Sequence, residues 1–243
     1  MYRLLIASII ATVFVSCGKE QNNMTVNGTV DGLRKGTLYF QKINDSTLVT
    51  LDSIEIDGNS NFSFSTSIES PEVFTLYLDK NDGNLLNDRL DFFGEPGNIT
   101  IKTTRDYFAP EATIEGSKSN DTWTEYKKIR SKFSGKNLEL IKDILQAEKD
   151  GDTALADSLN LVSKRNNTRE YLYTLNFVLN HTDSYAAPYI TLANVYNANI
   201  KYLDSINNLL TPEVAQSKYG KMLAKYIGDI KAQPQTSTKD SVQ

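Results

Sequence analysis

The first half of the chain alternates apolar and polar residues with a period of two. Short alternating stretches are separated by turn sequences such as Asn44-Asp45-Ser46 and Asp57-Gly58-Asn59. Such alternation puts the apolar side chains on one face of a strand, and turn residues between two such stretches are typical of hairpins. The predicted strands cover residues 25–30, 36–43, 48–56, 62–65, 73–78, 90–93, 99–102 and 112–114. About eight short strands with no helix between them predict an antiparallel β-sandwich or barrel over residues 24–116.

From Ser117 onward, apolar residues recur at every third or fourth position instead. Trp123, Tyr126 and Phe133 follow this spacing, which is that of one face of an α-helix. Thr122 and Glu125 have the spacing of a capping box at the start of this helix. Further helices are predicted over residues 138–145, 153–180, 184–196, 203–210 and 211–230. The predicted fold class is therefore α+β, with a C-terminal α-helical bundle over residues 117–231 and a flexible tail over residues 232–243.

The N-terminus has the pattern of an exported protein. Arg3 is followed by an apolar stretch over residues 4–16 and then by Cys17 and Gly18. A positive start, about a dozen apolar residues and a small residue before the cut are typical of a signal peptide. The cysteine at this place resembles the lipobox of bacterial lipoproteins, in which the cysteine is acylated and becomes the new N-terminus. We therefore expect a signal peptide over residues 1–16, lipidation at Cys17 and a polar tether over residues 17–23; the alternative is an ordinary signal peptide with a chance cysteine.

Composition removes several classes of chemistry. The chain has 243 residues, 40% of them hydrophobic and 23% charged, with one cysteine and one histidine, His181. These counts exclude Cys/His zinc sites and CxxC redox chemistry, and they exclude a Ser-His-acid triad unless His181 serves it. A net charge of −4 argues against nucleic acid as the main partner. We expect no cofactor and no metal.

Charge is divided along the boundary between strands and helices. Residues 17–116 hold 16 acidic and 8 basic side chains, net −8, and residues 117–243 hold 14 acidic and 17 basic ones, net +3. Opposite signs favour docking of the two parts, or they simply keep each part soluble. We prefer the second interpretation.

Three local patterns suggest chemistry but have simpler explanations. His181 with Asp183 and Ser184 lies at a predicted helix break, where these residues are expected in caps and turns. The polar run 79–84 lacks the glycine and glutamate spacing of an EF-hand calcium loop and is better explained as a turn. Six basic residues over 118–136, with Trp123 and Tyr126 between them, resemble a nucleic-acid-binding stripe, but helical spacing puts the aromatic residues on the buried face and the basic residues in solvent. No catalytic residue is predicted.

Four sequence elements together resemble a known family. They are the segments 52–64, 92–101, 115–120 and 180–187, and their order and spacing are similar to those of an N-terminal domain of unknown function, with its following helical region, in lipoproteins of the Bacteroidota. In that family these regions usually precede a thioredoxin-like domain with a CxxC pair. This sequence has a single cysteine, so the resemblance implies an architecture and a compartment without the activity.

Together these observations favour a lipid-anchored, non-catalytic lipoprotein module of the cell envelope. We expect it to bind an envelope protein or an extracellular ligand, and to be attached to the membrane through Cys17. We expect the outer membrane, and the periplasmic or surface-facing leaflet is left open. One alternative is an accessory of a thiol-disulfide exchange system that lacks its own redox domain. The other is a hydrolase that uses Asp, Glu or Ser chemistry without a diagnostic spacing.

Overall fold

Eight β-strands followed by six α-helices make up the described part of the chain. The computed structural model describes residues 22–80, Asp82 and residues 88–232. The strands are β1 (Met24–Asp31), β2 (Lys35–Asn44), β3 (Thr47–Asp57), β4 (Asn61–Thr66), β5 (Glu72–Asp79), β6 (Asp88–Gly94), β7 (Gly97–Thr104) and β8 (Thr113–Glu115). The helices are α1 (Lys118–Lys149), α2 (Thr153–Leu179), α3 (Ala186–Asn194), α4 (Ile200–Leu209), α5 (Pro212–Ala215) and α6 (Lys218–Ala232). The predicted α+β class and all eight predicted strands are confirmed.

The strands form a sandwich of two four-stranded sheets that do not close into a barrel. The strand orders are β4-β1-β7-β8 and β3-β2-β5-β6. Phe40 of the second sheet stacks on Phe64 of the first with ring centroids 5.4 Å apart, and it also stacks on Phe74 of its own sheet. All three rings are buried in one apolar cluster between the sheets. Burial of such rings is the main force that holds two sheets together.

One strand pair departs from the predicted antiparallel arrangement. Strands β1 and β7 run parallel, with Met24 opposite Gly97 and Asp31 opposite Thr104. The prediction assumed that a parallel pair needs a helix as its crossover. Here the chain between β1 and β7 passes through the other sheet instead, since β2, β3, β5 and β6 all belong to it. The second sheet of the sandwich thus forms the crossover connection between the two parallel strands.

The first helix is longer than the sequence pattern predicts. The two helices expected over residues 123–145 are a single helix, α1, of 32 residues that continues through Gly135. It also begins earlier, because Ser117 is the N-cap and its Oγ accepts a hydrogen bond from Asn120 N at 3.0 Å. The predicted capping residue Thr122 lies inside the helix and donates to Lys118 O. The capping-box prediction was therefore wrong by five residues.

Helices α1 and α2 form an antiparallel hairpin that we call the arm, defined as residues 126–173. Arg130 pairs with Glu170, and Asn137 accepts a hydrogen bond from Asn166, so the two helices run in opposite directions. After Tyr126, only two residues of α1 are buried, Leu140 and Ala147. The helices of the arm are therefore covered mainly by each other.

The helical region packs on the outer face of the sheet that contains β5 and β6. Phe92 and Phe93 are adjacent on β6, so they point to opposite faces. Phe92 belongs to the core of the sandwich, whereas Phe93 belongs to a second core made by the helices. Both side chains are fully buried. Strands β5 and β6 of the sandwich therefore supply part of the helical core.

The strand-to-helix transition is short. Strand β8 ends at Glu115 and α1 begins at Lys118. Gly116 has φ +95°, and its backbone passes so close to β7 that an added Cβ would lie 2.1 Å from Asn98 O. The division of the chain into separately folding units at this place stays a prediction. Within the described ranges, no helix has both the length and the apolar character needed to cross a membrane.

Candidate functional site

A cleft lies at the junction between the sandwich and the last two helices. Its larger section has a volume of about 640 Å3, between the loop that precedes β5 and the start of α6. The residues that line it are Lys42, Asn44, Ser67, Ile68, Glu69, Ser70, Glu72, Gln216, Lys218 and Lys221. All but one of these side chains are polar or charged. The cleft therefore suits a polar ligand and not an acyl chain.

The carboxylate of Glu72 joins the two walls of this cleft. Its Oε1 accepts a hydrogen bond from Lys42 Nζ of β2 at 2.9 Å, and its Oε2 pairs with Lys218 Nζ of α6. Glu72 is only 5% exposed, and a buried carboxylate is costly unless charged and hydrogen-bonded partners compensate it. The two ammonium groups therefore fix α6 against the sandwich.

The start of α6 makes further contacts with the sandwich. Lys218 N donates to Ser70 Oγ at 3.0 Å, and Lys218 Nζ also donates to Ile43 O at 3.2 Å. Lys221 lies one turn further along α6 and lines the same cleft. Among the described residues it has no ion-pair partner, in contrast to the two lysines on Glu72. Its charge is therefore available to a ligand.

A second section continues the cleft and is acidic. It has a volume of about 370 Å3 and shares Glu69, Ser70 and Gln216 with the first section. Its other lining residues are Pro71, Glu95, Pro96, Tyr185, Glu213 and Ser217. Burial raises the pKa of Tyr185, and the nearby carboxylates of Glu213 and Glu95 raise it further. The cleft as a whole thus has lysines at one end and glutamates at the other.

Glu95 has a structural task in this acidic section. Its carboxylate oxygens accept hydrogen bonds from Lys118 N at 3.1 Å and from Ser119 N at 2.8 Å. These are backbone donors of the first turn of α1, which have no partner within the helix. A carboxylate at this end also interacts favourably with the helix dipole. Glu95 therefore attaches α1 to the end of β6, and Glu69 and Glu213 remain as the acidic groups for a ligand.

An apolar hairpin tip lies at the mouth of the larger section. Strands β2 and β3 are joined by Asp45 and Ser46, both with positive φ, which is the geometry of a tight two-residue hairpin turn. Ile43 faces Leu48 across this hairpin, and Lys42 faces Val49. Ile43 is 60% exposed, and Leu48 and Val49 are also exposed. Directly paired residues share a face of the hairpin, so Val49 lies on the side of Lys42 and the cleft, whereas Ile43 and Leu48 lie on the other side. We call these three exposed side chains at the hairpin tip the apolar rim.

Aromatic rings pack on one another beside the cleft. The rings of Phe93, Trp123, Tyr189 and Tyr219 contact one another with centroids 4.9 to 5.9 Å apart. Val73 N donates to Tyr219 Oη at 3.1 Å. Burial is the main cause that raises the pKa of Tyr219 and of Tyr189. The four rings therefore form a packed aromatic group beside the start of α6, and the hydroxyls of Tyr189 and Tyr219 stay neutral at physiological pH.

The described chain begins next to the cleft. The side chain of Asn23 exchanges two hydrogen bonds with the backbone of Ile68, at 2.8 and 2.9 Å. Gly97 N also donates to Asn23 O at 2.8 Å. Ile68 is one of the residues that line the larger section. Asn23 therefore fixes the N-terminal end of the domain beside the cleft.

The residues that the sequence singled out lie elsewhere. Cys17, the predicted lipidation site, lies outside the described residues, as do the predicted signal peptide, most of the tether and nearly all of the predicted tail. His181 stacks on Phe177 with centroids 4.0 Å apart, and its Nδ1 is 2.8 Å from Phe177 O at the end of α2. Ser184 Oγ accepts from Ala186 N. The group at 181–184 is therefore a turn after a helix, in agreement with the interpretation as caps and turns.

The basic segment has a structural explanation, whereas the interpretation of the run 79–84 as a turn stays a prediction. Of the aromatic residues in the basic segment 118–136, Trp123 and Tyr126 are buried, whereas most of the basic residues are exposed. Of the polar run 79–84, only Asp79, Lys80 and Asp82 are among the described residues. In the part of the chain that the structure describes, no group of three or more His, Cys, Asp or Glu residues is arranged to hold a metal ion.

Sequence reasoning missed the cleft because its parts are distant in the chain. Lys42, Glu72 and Lys218 come from three elements, and 146 residues separate Glu72 from Lys218. The available signal was a charged residue at the start of a largely apolar strand, since Glu72 directly precedes Val73 and Phe74. Such a residue is expected to need an opposite charge, but the sequence does not name the partner.

Comparison with known proteins identifies the domain on the N-terminal side of the chain. No curated protein matches the chain. The matched segment starts at the first residue of β1 and ends at Trp123, in the second turn of α1, so it contains the sandwich together with the part of α1 that packs against β6. The expected N-terminal domain of unknown function is thereby confirmed: residues 24–123 match the family model described as a domain of unknown function (DUF4369).

Proposed function

We propose that this protein is a non-catalytic, lipid-anchored module of the cell envelope that binds another envelope protein through the junction cleft and its apolar rim. The observation that carries the proposal is the cleft itself. It combines Lys221, which has no ion-pair partner among the described residues, with the three exposed apolar side chains of the rim. Interfaces between proteins commonly combine an apolar patch with polar groups at its border.

The charge pattern of the cleft supports a peptide segment as the bound part of the partner. Lys221 offers a cation in the larger section and Glu213 an anion in the second section, and Glu69 offers an anion where the two sections meet. A segment with an acidic residue followed by a basic one matches both ends. A volume of about 640 Å3 in the larger section accommodates several side chains.

A binding role without catalysis is supported by the state of the charged groups. The Glu72 carboxylate and the ammonium groups of Lys42 and Lys218 are bound to one another, so they act as a structural unit. A general base or nucleophile needs a free group directed at the substrate, with an orienting partner behind it. The cleft of the described structure presents Lys221, Glu69 and Glu213 without such an arrangement.

Membrane attachment rests on the sequence at Cys17. An apolar stretch over residues 4–16 precedes this cysteine. Each buried methylene of an acyl chain adds about 0.8 kcal/mol to membrane affinity, so two or three chains anchor a protein stably. We expect Cys17→Ala to move the protein from the membrane fraction to the soluble periplasmic fraction. A soluble wild-type protein whose mature mass contains no acyl chain would contradict the anchor.

The binding role is tested by photo-crosslinking in the native envelope. A photoreactive amino acid at Gln216, which lines both sections of the cleft, should capture one defined envelope protein. Lys221→Glu should reduce this product at least about tenfold because it places a negative charge where the partner brings one. The double change Leu48→Ser and Val49→Ser should reduce it as well, since it removes apolar surface from the rim.

Lys225→Glu is the matched control. Lys225 is exposed on the same helix, one turn beyond Lys221, and does not line the cleft. It should leave the crosslinked product unchanged. Equal loss with Lys225→Glu and Lys221→Glu would mean that general charge attraction produces the signal, and the cleft would then not be the binding site.

A further inference from the structure

Strand β3 lies at an edge of its sheet and has β2 as its neighbour on one side only. Gly58 N donates to Arg34 O at 2.8 Å, and the pairs that follow along β3 keep the same register. In an antiparallel pair of strands, hydrogen-bonded residue pairs alternate with pairs that are not hydrogen-bonded. Ser53, Glu55 and Asp57 fall in the second kind of pair, so their backbone N–H and C=O groups are directed away from β2.

The backbone of this edge is open to an added strand. Ser53 N donates to the side chain of its neighbour Asp52 at 2.8 Å, which agrees with a direction away from β2. Among the described residues, the backbone N–H groups of Glu55 and Asp57 have no partner on that side. A β-bulge just before Asp52 ends the regular edge. Residues 53–57 are therefore a template on which an extended segment can pair.

The side chains of this edge are acidic. Strand β3 holds Asp52, Glu55 and Asp57 and no basic residue, and all three acidic side chains are exposed. The ion pairs of the described structure include none of them. Lys35 of β2 lies opposite Asp57, whereas the residue opposite Glu55 is Thr37. A basic side chain on an added strand is therefore attracted to this edge.

A row of stacked side chains crosses the outer face of the sheet and ends at β3. Arg89 Cζ of β6 is 5.1 Å from the ring centroid of Tyr77 of β5, and this ring stacks on Tyr39 of β2 at 5.5 Å. Ser53 is the next residue in the row, and its small side chain cannot cover the ring of Tyr39. The ring of Tyr39 therefore offers a face to a second cation on the β3 side, as the ring of Tyr77 already does to Arg89.

The inner face of the same edge is apolar. Ile54 alternates with Ser53 and Glu55, and it packs against the core of the sandwich, where Ile56 is fully buried. Ile54 itself is only partly buried. An apolar side chain on an added strand beside Ile54 would extend this core.

We propose that an extended segment of a partner protein, with lysine or arginine at every second position, adds to β3 along residues 53–57 as a fifth strand of the sheet. The segment runs antiparallel to β3, as do all strand pairs of this sheet. One basic side chain lies over Ser53 on the ring of Tyr39, and the next two lie opposite Glu55 and Asp57. The apolar side chains between them face the core beside Ile54. The inference does not depend on the junction cleft and goes beyond the proposed function.

A second copy of this chain fits the edge less well than a basic segment does. A twofold axis between two antiparallel β3 strands at Glu55 would put Glu55 opposite itself, and like charges directly opposite are destabilising. It would also bring six acidic side chains together without a basic residue from either β3. Acidic side chains at an edge hinder pairing with unrelated strands. The same charges therefore select a basic segment.

The test uses the full chain with Cys17→Ala and the fluorescent peptide Lys-Val-Lys-Val-Lys with uncharged ends. Fluorescence anisotropy should give a dissociation constant in the micromolar range. In an antiparallel added strand, the backbone N–H groups of the three lysines face β3. N-methylation of these nitrogens keeps the charge and should weaken binding at least about tenfold, whereas N-methylation of the two valines should leave it unchanged. With the unmodified peptide bound, hydrogen exchange at the amides of Glu55 and Asp57 should slow at least about tenfold.

Variants of the edge test the role of its side chains. Glu55→Lys with Asp57→Lys should weaken binding of the lysine peptide at least about tenfold and favour Glu-Val-Glu-Val-Glu instead. Tyr39→Leu should weaken it about threefold and leave the circular dichroism spectrum unchanged. The matched control is Asp143→Lys with Glu148→Lys, which makes the same change of charge at exposed positions of α1 and should have no effect.

Three results would overturn the proposal. One is the absence of binding at about 500 µM peptide, which would mean that the charges of β3 only protect the edge. Another is equal binding of the peptide methylated at its lysines, since charge attraction without strand pairing would then explain the signal. The third is a mass of two chains in sedimentation equilibrium together with slow exchange at Glu55 and Asp57 in the absence of peptide, which would assign the edge to a second copy.

Discussion

Glu72 shows how one side chain decides the geometry of the junction. It is buried between a lysine of the sandwich and a lysine of the last helix. A group of this kind contributes little net stability in comparison with an apolar pair, but removal of one partner leaves the other charges uncompensated. Its role is therefore one of specificity: it fixes where α6 meets the sandwich.

Glu72→Gln should lower the free energy of unfolding by about 2 kcal/mol, because Lys42 and Lys218 lose their common counter-charge. Both lysines are partly exposed, which keeps the loss below that of a fully buried pair. The matched control is Glu139→Gln on α1, which removes an exposed pair with Lys136 and should cost less than about 0.5 kcal/mol. Urea titration of each variant gives the comparison. Equal losses would mean that Glu72 acts as an ordinary surface carboxylate.

Tyr126 and Tyr173 stack on each other in the arm, and they differ in the hydrogen bonding of the hydroxyl group. Tyr126 Oη is 3.0 Å from Thr174 Oγ1, and that hydroxyl donates in turn to Glu170 O, so Tyr126 is the donor. Tyr173 Oη is buried and has no hydrogen-bond partner among the described residues. Burial is the main cause that raises the pKa of Tyr173 to about 12, with smaller effects of Glu125 and Tyr126.

Tyr173→Phe should therefore raise stability at pH 7 by about 1 kcal/mol, since it removes an unpaired buried hydroxyl. Tyr126→Phe should lower stability by a similar amount. The pH dependence follows from the raised pKa: above pH 10 the unfolded tyrosine ionises while the folded one stays neutral, so stability falls between pH 10 and about 12. Tyr173→Phe should make this fall less steep. A parallel loss for both variants at pH 7 would show that Tyr173 has a partner.

At the scale of elements, the strands were predictable and their pairing was not. The alternation around Phe62 and Phe64, for example, fixes which side chains face the core. Nothing in that alternation states that β7 returns next to β1, because register and neighbours depend on contacts between segments some seventy residues apart. The full length of α1 was not predicted because Gly135 and polar residues interrupt its apolar pattern. A helix of the exposed arm buries only a narrow seam against its partner helix, so few of its positions are apolar.

The same limit applies to the candidate site. The turn at Asp45–Ser46 and the caps near His181 follow from local residue types. The cleft depends on Glu72 meeting Lys218, which only the packing of α6 on the sandwich brings about. Turns and caps can be predicted from the local sequence, whereas a site formed between two elements that are distant in the chain cannot.

The joint between β8 and α1 gives a prediction at this scale. Gly116 has φ +95°, and an added Cβ would meet Asn98 O at 2.1 Å, whereas Gly58 has φ +90° and nothing within 4 Å. Gly58→Ala should cost about 1 kcal/mol, the penalty of the backbone conformation alone. Gly116→Ala should cost at least about 2 kcal/mol more, because the β7 backbone must also move. Similar losses in chemical denaturation would mean that β7 yields freely at this place.

At the scale of the whole molecule, the position of Phe93 leads us to expect that the sandwich and the helices unfold as one cooperative unit. It lies on a strand of the sandwich but is buried among Trp123, Tyr189 and Tyr219 of the helices. Loss of the helices would expose this ring and the neighbouring Val73, so the two cores share part of their apolar surface. The matched segment 24–123 includes Trp123, which keeps one of these ring contacts.

Phe93→Ala should reduce the stability of both cores together, by about 3 kcal/mol or more. Fluorescence of Trp123, the sole tryptophan, and circular dichroism of the strands and helices should then shift by the same amount and keep coincident transitions. Phe62→Ala, in the sandwich core only, is the comparison variant. If Phe93→Ala separates the two signals, the helices and the sandwich unfold independently, and the boundary predicted near Gly116 divides two autonomous domains.

The position of Asn23 has a consequence for where the cleft operates. Asn23 is bound to Ile68 at the wall of the cleft, and it lies six positions after Cys17 in the sequence. A chain of this length spans at most about 20 Å. With Cys17 acylated as proposed, the cleft stays within that height above the bilayer. Its partner is then met by lateral diffusion in two dimensions, and only proteins that display their matching segment within this thin layer are eligible.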